Sequence, residues 1–200
     1  MTAARILSIL LHPILMPLAG ILLMFRTASW LYLMPTGAQR YLYLVVVTLT
    51  ILVPLTAMPL LKRRDMISSY TLDIAAERRI PLLIGSFFYM MAAFILHKVN
   101  APVIIPLFLN ASALVVLFCA MLTYRWKVSN HMAALGGLAG MVLAVSLRWM
   151  TDGSTILAIL FILAGVAGWA RLKLNAHRPL DIYGGYLLGF AVTFVLIRFF

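Results

Sequence analysis

The stretch RLKLNAHRPLDIYGGYLLG, residues 171–189, shows the pattern on which the whole fold is built. A short polar segment that carries Arg171, His177 and Asp181 leads directly into an apolar segment containing glycine. Pro179 suits the first turn of a helix, where its missing N–H is no loss, and Asp181 then lies one turn beyond His177. The sequence therefore predicts a helix that begins with chemically active side chains and continues into a membrane.

Composition extends this prediction to the rest of the chain. Hydrophobic residues make up 64% of the 200 residues, charged residues only 10%, and the mean hydropathy is +1.07, as is typical of membrane proteins. Seven apolar segments can be drawn, at about residues 6–25, 41–61, 81–97, 102–123, 131–149, 154–170 and 180–198. The third and sixth are short for spanning, so one of them is open to being tilted or re-entrant. We expect an all-α bundle of six to seven transmembrane helices, forming one domain over residues 1–200.

Two features predict how these helices pack. His12 and Pro13 interrupt the first segment, and a kink packed against a neighbouring helix is expected there. The fifth and seventh segments carry glycines at helical spacing, which predicts close helix packing. These glycines are Gly136, Gly137, Gly140, Gly184, Gly185 and Gly189.

The joint between the second and third segments is longer and more charged than the others. Residues 62–80, KRRDMISSYTLDIAAERRI, hold five Lys or Arg residues and three acidic residues. The stretch is long enough for an amphipathic helix on the membrane surface, with Tyr70, Leu72 and Ile74 facing lipid. A solvated loop is the alternative.

Most of the remaining reactive side chains lie where odd-numbered segments begin. The clusters are Arg78 with Arg79 before the third segment, residues 129–131 at the fifth, and His177 with Asp181 at the seventh. Two spans separate each cluster from the next, so all three are expected on one side of the membrane. They can therefore converge on a single site.

These residue types suit phosphoryl transfer. A carboxylate such as that of Asp181 can hold one imidazole nitrogen of His177 protonated and leave the other free to attack phosphorus. The planar fork of Arg171 suits phosphoryl oxygens. Ser129 is a good N-cap, and the start of the following helix exposes N–H groups to an anion.

The spacing Arg171, five residues, His177, three residues, Asp181 resembles the third signature of the type 2 phosphatidic acid phosphatase superfamily. Residues 128–131, Val-Ser-Asn-His, resemble its second signature, Pro-Ser-Gly-His. The resemblance covers about residues 77–190 and implies a helical core like that of this superfamily. It also implies that His177 is the nucleophile oriented by Asp181, and that His131 is the general acid.

The resemblance further implies a set of phosphate ligands: Arg171, Ser129, Asn130 and either Arg78 or Arg79. The first signature, Lys, six residues, Arg-Pro, is matched only by Arg-Arg-Ile-Pro at residues 78–81. Thr71 and Leu72 stand where its lysine is expected. This start of the third segment is otherwise explained as a positively charged membrane anchor.

The function expected from the resemblance is hydrolysis of a lipid phosphate or diphosphate, of the phosphatidate, phosphatidylglycerol phosphate or polyprenyl diphosphate class. No cofactor or metal site is predicted, because the acidic residues form no cluster that magnesium would favour. The lipid bilayer and its phosphate esters are the expected partners, and the formal charge of +11 is not expected to bind nucleic acid, because the cations interrupt apolar spans. A lipid-binding relative without turnover and a small transporter are the alternatives.

Charge also bears on orientation. Eleven of the sixteen Lys and Arg residues fall on the side of the three clusters and five on the other, which predicts a site facing the cytoplasm. The resemblance implies that the membrane is a bacterial cytoplasmic (inner) membrane. If Arg78, Arg79 and Arg171 bind phosphate instead, the balance is eight against five. Many members of the superfamily face outward, so both orientations stay open.

Overall fold

A computed structural model describes residues 3–70, 72 and 74–200. Within these residues the chain forms nine α-helices, short turns of other helix types and no strand. The α-helices are α1 (Ala3–Leu10), α2 (Met16–Thr27), α3 (Thr36–Val47), α4 (Val53–Arg63), α5 (Arg79–Lys98), α6 (Ile104–Leu122), α7 (Asn130–Trp149), α8 (Ser154–Lys173) and α9 (Pro179–Phe199). In this described part of the chain, seven helical stretches are long and apolar enough to cross a membrane, which confirms an all-α fold suited to a multi-pass membrane protein.

The seven stretches agree with the predicted segments to within a few residues at most ends. The first, Ala3–Thr27, combines α1 and α2, and the second, Thr36–Arg63, combines α3 and α4. The third and sixth predicted segments were short for spanning. The corresponding helical stretches are 23 and 20 residues long, because polar residues at their ends continue the helix. Both are therefore long enough to span the ~30 Å hydrocarbon layer.

The first stretch breaks at the predicted kink. The α1 helix ends at Leu10, and a 3₁₀ turn follows at Pro13–Leu15. Pro13 cannot donate a backbone hydrogen bond, and the His12 imidazole accepts from the N–H of Ile14 at 3.3 Å. The side chain of His12 thus replaces a bond that the broken helix loses.

The second stretch contains a π-helical turn at Thr48–Leu52. In an α-helix the ring of Pro54 would clash with the carbonyl of Thr50, four residues earlier, and a wider turn relieves that clash. The hydroxyl of Thr50 donates back to the carbonyl of Val46 at 2.8 Å, which also favours a bend. These residues place a distorted segment inside the bundle.

At the centre, α7 and α9 run parallel and pack more extensively than any other helix pair. A Cβ atom added at Gly136 would overlap the carbonyl oxygen of Tyr186, and one at Gly189 would overlap that of Ala133. The prediction of close packing at these glycines is confirmed. Because both helices begin at the same end of the bundle, their N-terminal residues lie side by side.

The charged joint does not form the predicted surface helix in its described residues. Lys62 and Arg63 complete α4, an irregular segment follows, and a 3₁₀ turn at Ala76–Arg78 leads into α5. Leu72 has a left-handed backbone with φ of 51°, and it lies toward the interior of the bundle instead of facing lipid. Thr71 and Asp73, which belong to the same prediction, lie outside the described residues. The loop alternative fits this part of the chain.

Candidate active site

A cavity of about 1060 Å³ opens at the end of the bundle where α5, α7 and α9 begin. Its wall contains three guanidinium groups and, among the described residues, no carboxylate. Such a wall creates a positive potential that favours an anion. Its polar members include Arg5, Ser8, His12, Arg78, Asn130, His131, Arg171 and His177.

The joint between α8 and α9 brings Arg171 and His177 to this cavity. The joint turns at Asn175, which has a left-handed backbone with φ of 51°. The N–H of Ala176 then donates to the carbonyl of Arg171 at 3.1 Å, closing the end of α8. The chain therefore reverses within a few residues, and Arg171 and His177 both line the cavity.

The imidazole of His177 is held by a backbone carbonyl. Its Nδ1 lies 3.1 Å from the carbonyl oxygen of Lys127. Since a carbonyl can only accept, Nδ1 carries the hydrogen and Nε2 keeps its lone pair. The side chain is buried, so this tautomer is fixed by a contact that water does not replace.

Asp181 lies close to His177 but not in the position that the resemblance implies. Its Oδ2 is 3.8 Å from His177 Nδ1, which is beyond hydrogen-bonding distance. The carboxylate accepts instead from Trp126 Nε1 at 2.7 Å and from the N–H of Arg178 at 2.9 Å. Asp181 is the third residue of α9, where a side chain bends back to cap its own helix. It does not line the cavity.

Electrostatics keep His177 neutral. Burial, and after it the nearby charges of Arg171 and Arg78, lower its pKa from 6.5 to about 4. The carbonyl of Lys127 and the charge of Asp181 oppose this shift but are smaller effects. At neutral pH the imidazole therefore retains the lone pair that a nucleophile needs.

Ser8 of α1 joins the other histidine to the arginine. His131 Nε2 lies 3.0 Å from the carbonyl oxygen of Ser8 and 3.3 Å from its hydroxyl. Arg171 Nη1 donates to the same hydroxyl at 2.9 Å. Because His131 Nε2 faces a carbonyl, it carries a hydrogen on the side of the cavity.

The first span thus contributes polar residues that the sequence interpretation did not assign to the site, and besides Arg5 there are two of them. One is Ser8, and the other is His12, whose ring lies edge-on to that of His131 with centroids 5.6 Å apart. The His12–Pro13 break was a usable signal, because a polar interruption in an apolar span often marks a functional position. Nothing in the sequence distinguished Ser8 from other serines.

The structure separates the two arginines that precede α5. Arg78 is buried, lines the cavity and donates from Nε to the carbonyl of Leu72 at 2.7 Å. Arg79 points elsewhere, with its guanidinium carbon 3.6 Å from the ring centre of Tyr124. Only Arg78 is therefore placed to meet an anion in the cavity.

The two candidate phosphate ligands at the start of α7 also differ in their positions relative to the cavity. Asn130 lines the cavity, whereas Ser129 is fully buried beside α9. The N–H of Ser129 donates to the carbonyl of Asp181 at 3.1 Å, which ties the starts of α7 and α9 together. The hydroxyl of Ser129 has no hydrogen-bond partner among the described residues and does not reach the cavity wall.

Within the described part of the chain, no three His, Cys, Asp or Glu residues lie together as metal ligands would. Comparison of the chain with models of protein families, with curated proteins and with solved structures finds no match. Function must therefore be inferred from the cavity and its side chains.

Proposed function

We propose that the chain is a membrane phosphatase that hydrolyses a lipid phosphate or diphosphate through a phosphohistidine on His177. One observation carries the proposal: a neutral His177, with Nδ1–H bound to the Lys127 carbonyl, shares a cavity with His131, Arg78 and Arg171. A nucleophile, a proton donor and two cationic groups for phosphoryl oxygens are the parts that such chemistry needs.

In the proposed reaction, Arg171 and Arg78 bind the phosphoryl oxygens while His177 Nε2 attacks phosphorus. The phosphorus–oxygen bond to the lipid breaks, and the leaving oxygen takes a proton from the imidazolium form of His131, whose ring becomes neutral. Water then attacks the phosphohistidine, the phosphorus–nitrogen bond breaks, and phosphate is released. The attacking water returns a proton to His131.

The substrate class follows from the location of the site. Nearly all of the chain is hydrophobic helix, so a substrate already dissolved in the bilayer reaches the cavity most readily. Phosphatidate, phosphatidylglycerol phosphate and polyprenyl diphosphate are candidates. The resemblance to the type 2 phosphatidic acid phosphatase superfamily supports this class and a bacterial cytoplasmic membrane as its setting.

A second candidate is a lipid-phosphate binder without turnover. It is favoured by Ser8, whose hydroxyl and carbonyl engage both Arg171 and His131, the two groups that a substrate phosphate would need. It is also favoured by the lack of a lysine in the first signature.

Phosphate release separates the two candidates. Purified protein in nanodiscs should release phosphate from at least one lipid in a panel of phosphatidate, phosphatidylglycerol phosphate and polyprenyl diphosphate. His177→Ala should remove this activity, whereas His97→Ala, at the exposed end of α5, should retain it. Lipid binding without phosphate release from any member of the panel would favour the binder.

A further inference from the structure

The cavity continues far beyond the histidines into the bundle. Its wall includes Thr193, which lies 14 residues beyond the start of α9 at Pro179, and Phe108, which lies 14 residues before the end of α6 at Leu122. At 1.5 Å per residue, both lie about 21 Å from the end that holds the histidines. The cavity therefore extends about two-thirds of the way through a ~30 Å hydrocarbon layer.

The deep part of the cavity has a different chemistry from its mouth. Its wall is formed mainly by apolar and aromatic side chains, and the hydroxyl of Thr50 is already bonded to a backbone carbonyl. At about 1060 Å³, the whole cavity is at the upper end of the roughly 300–1,000 Å³ usual for small-molecule sites. We call this part the tail chamber; its wall includes Tyr89, Phe108, Val116, Leu138 and Thr193.

The cavity also reaches the side of the bundle. Ile9 of α1 and Leu55 of α4 both line it, yet their side chains are 55% and 48% exposed. In a membrane, apolar side chains with this exposure face lipid tails. A passage between α1 and α4 can therefore connect the tail chamber to the bilayer.

We infer that the tail chamber binds one hydrocarbon chain of a phosphate ester whose phosphate lies between His131 and His177. This inference rests on the proposed function for the position of the phosphate, and it adds the place in the bundle where the substrate's hydrocarbon chain lies. The chain enters from the bilayer between α1 and α4. Burying it between apolar side chains contributes to binding and holds the ester oxygen near the histidines.

Photocrosslinking tests this directly. The probe is hexadecyl phosphate with a diazirine at the far end of its chain, added to the protein in nanodiscs. Illumination expels dinitrogen, and the carbene inserts into the nearest C–H or O–H bond, so the adduct can be mapped by mass spectrometry. We expect adducts on Phe108, Ser112 or Thr193. Adducts confined to lipid-facing residues such as Phe161 and Ile162 would overturn the inference.

Two neighbouring substitutions provide a matched comparison. Val116 lines the tail chamber, and Leu117, the next residue of α6, does not. Val116→Trp should lower the yield of chamber adducts about tenfold by filling the space, and Leu117→Trp should leave it unchanged. Equal yields in the two variants would contradict the inference. If Val116→Trp fails to fold, the map of adducts on the wild-type protein still tests whether the tail chamber binds the hydrocarbon chain.

The same experiment distinguishes this inference from the proposed function. Chamber adducts in both the wild type and His177→Ala, without phosphate release from hexadecyl phosphate by the wild type, would refute hydrolysis of that ester and support the chamber. Phosphate release accompanied by adducts only on the outer surface would support hydrolysis and refute the chamber.

Discussion

The Nδ1 atom of His177 lies 3.1 Å from the carbonyl oxygen of Lys127, whereas the carboxylate of Asp181 is 3.8 Å from the same nitrogen. A backbone carbonyl, which no substitution can remove, therefore fixes the tautomer of the proposed nucleophile. Asp181 stabilises the joint around it by binding Trp126 and Arg178. The roles of these residues can be separated by measurement.

Asp181→Asn should reduce stability more clearly than it reduces the rate of attack. An amide cannot accept both hydrogen bonds as well as a carboxylate, and the loss should be about 1–2 kcal/mol. Trp126→Phe removes one of the same bonds, so the double variant should be less destabilised than the sum of the single variants. Thermal unfolding of the four proteins measures this coupling. Strict additivity would show that the Trp126–Asp181 hydrogen bond makes no measurable contribution to stability.

Arg78→Lys should weaken phosphate binding about tenfold, because lysine keeps the charge and loses the fork. The neighbouring variant Arg79→Lys is the control, since that guanidinium lies over Tyr124 outside the cavity. The inhibition constant of orthovanadate and the thermal midpoint should be measured for both. Equal, mild effects at the two positions would indicate that this stretch is only a charged anchor.

Ser8→Ala should lower KM about tenfold with little change in kcat. The Ser8 hydroxyl accepts a hydrogen bond from Arg171, and a substrate phosphate must replace it, so removing this competitor favours binding. Ser146→Ala, at a half-buried serine of α7 whose hydroxyl oxygen is buried outside the cavity, is the matched control. A raised KM in Ser8→Ala would mean that Ser8 supports Arg171 and does not compete with substrate.

The substrate-free protein should show a depressed titration of His177. Its pKa is lowered to about 4, so the neutral, nucleophilic form should persist from alkaline pH down to about pH 5 and be lost only as pH falls through 4. Arg78→Gln removes a positive charge and should raise the midpoint. NMR of histidine-labelled protein follows the ring directly. A wild-type midpoint at or above 6.5 would contradict the electrostatic account.

Much of the fold was predictable because hydrophobic length alone specifies spanning helices. The glycines of α7 and α9 also predicted close packing, since a missing Cβ lets backbones approach. The charged joint was misjudged: its apolar residues suited a surface helix, but Leu72 turns inward to the cavity.

The site was predictable only in part. Because two spans separate them, the starts of the odd-numbered spans share one end of the bundle, which brings Arg78, His131 and His177 together. Residue spacing could not give side-chain direction, so it placed Arg79 beside Arg78 and assigned Asp181 to the imidazole. Ser8 was not predictable, because its role depends on α1 packing against α8 across most of the sequence.

The central claim is that His177 becomes phosphorylated during turnover, and trapping the intermediate tests it most directly. Hexadecyl phosphate labelled in its phosphoryl group should be mixed with protein in nanodiscs, quenched within one turnover under alkaline conditions, and digested for mass spectrometry. We expect a label on the His177 peptide of the wild type and His97→Ala, and none in His177→Ala. Phosphate release without label on His177, or undiminished release by His177→Ala, would contradict the account.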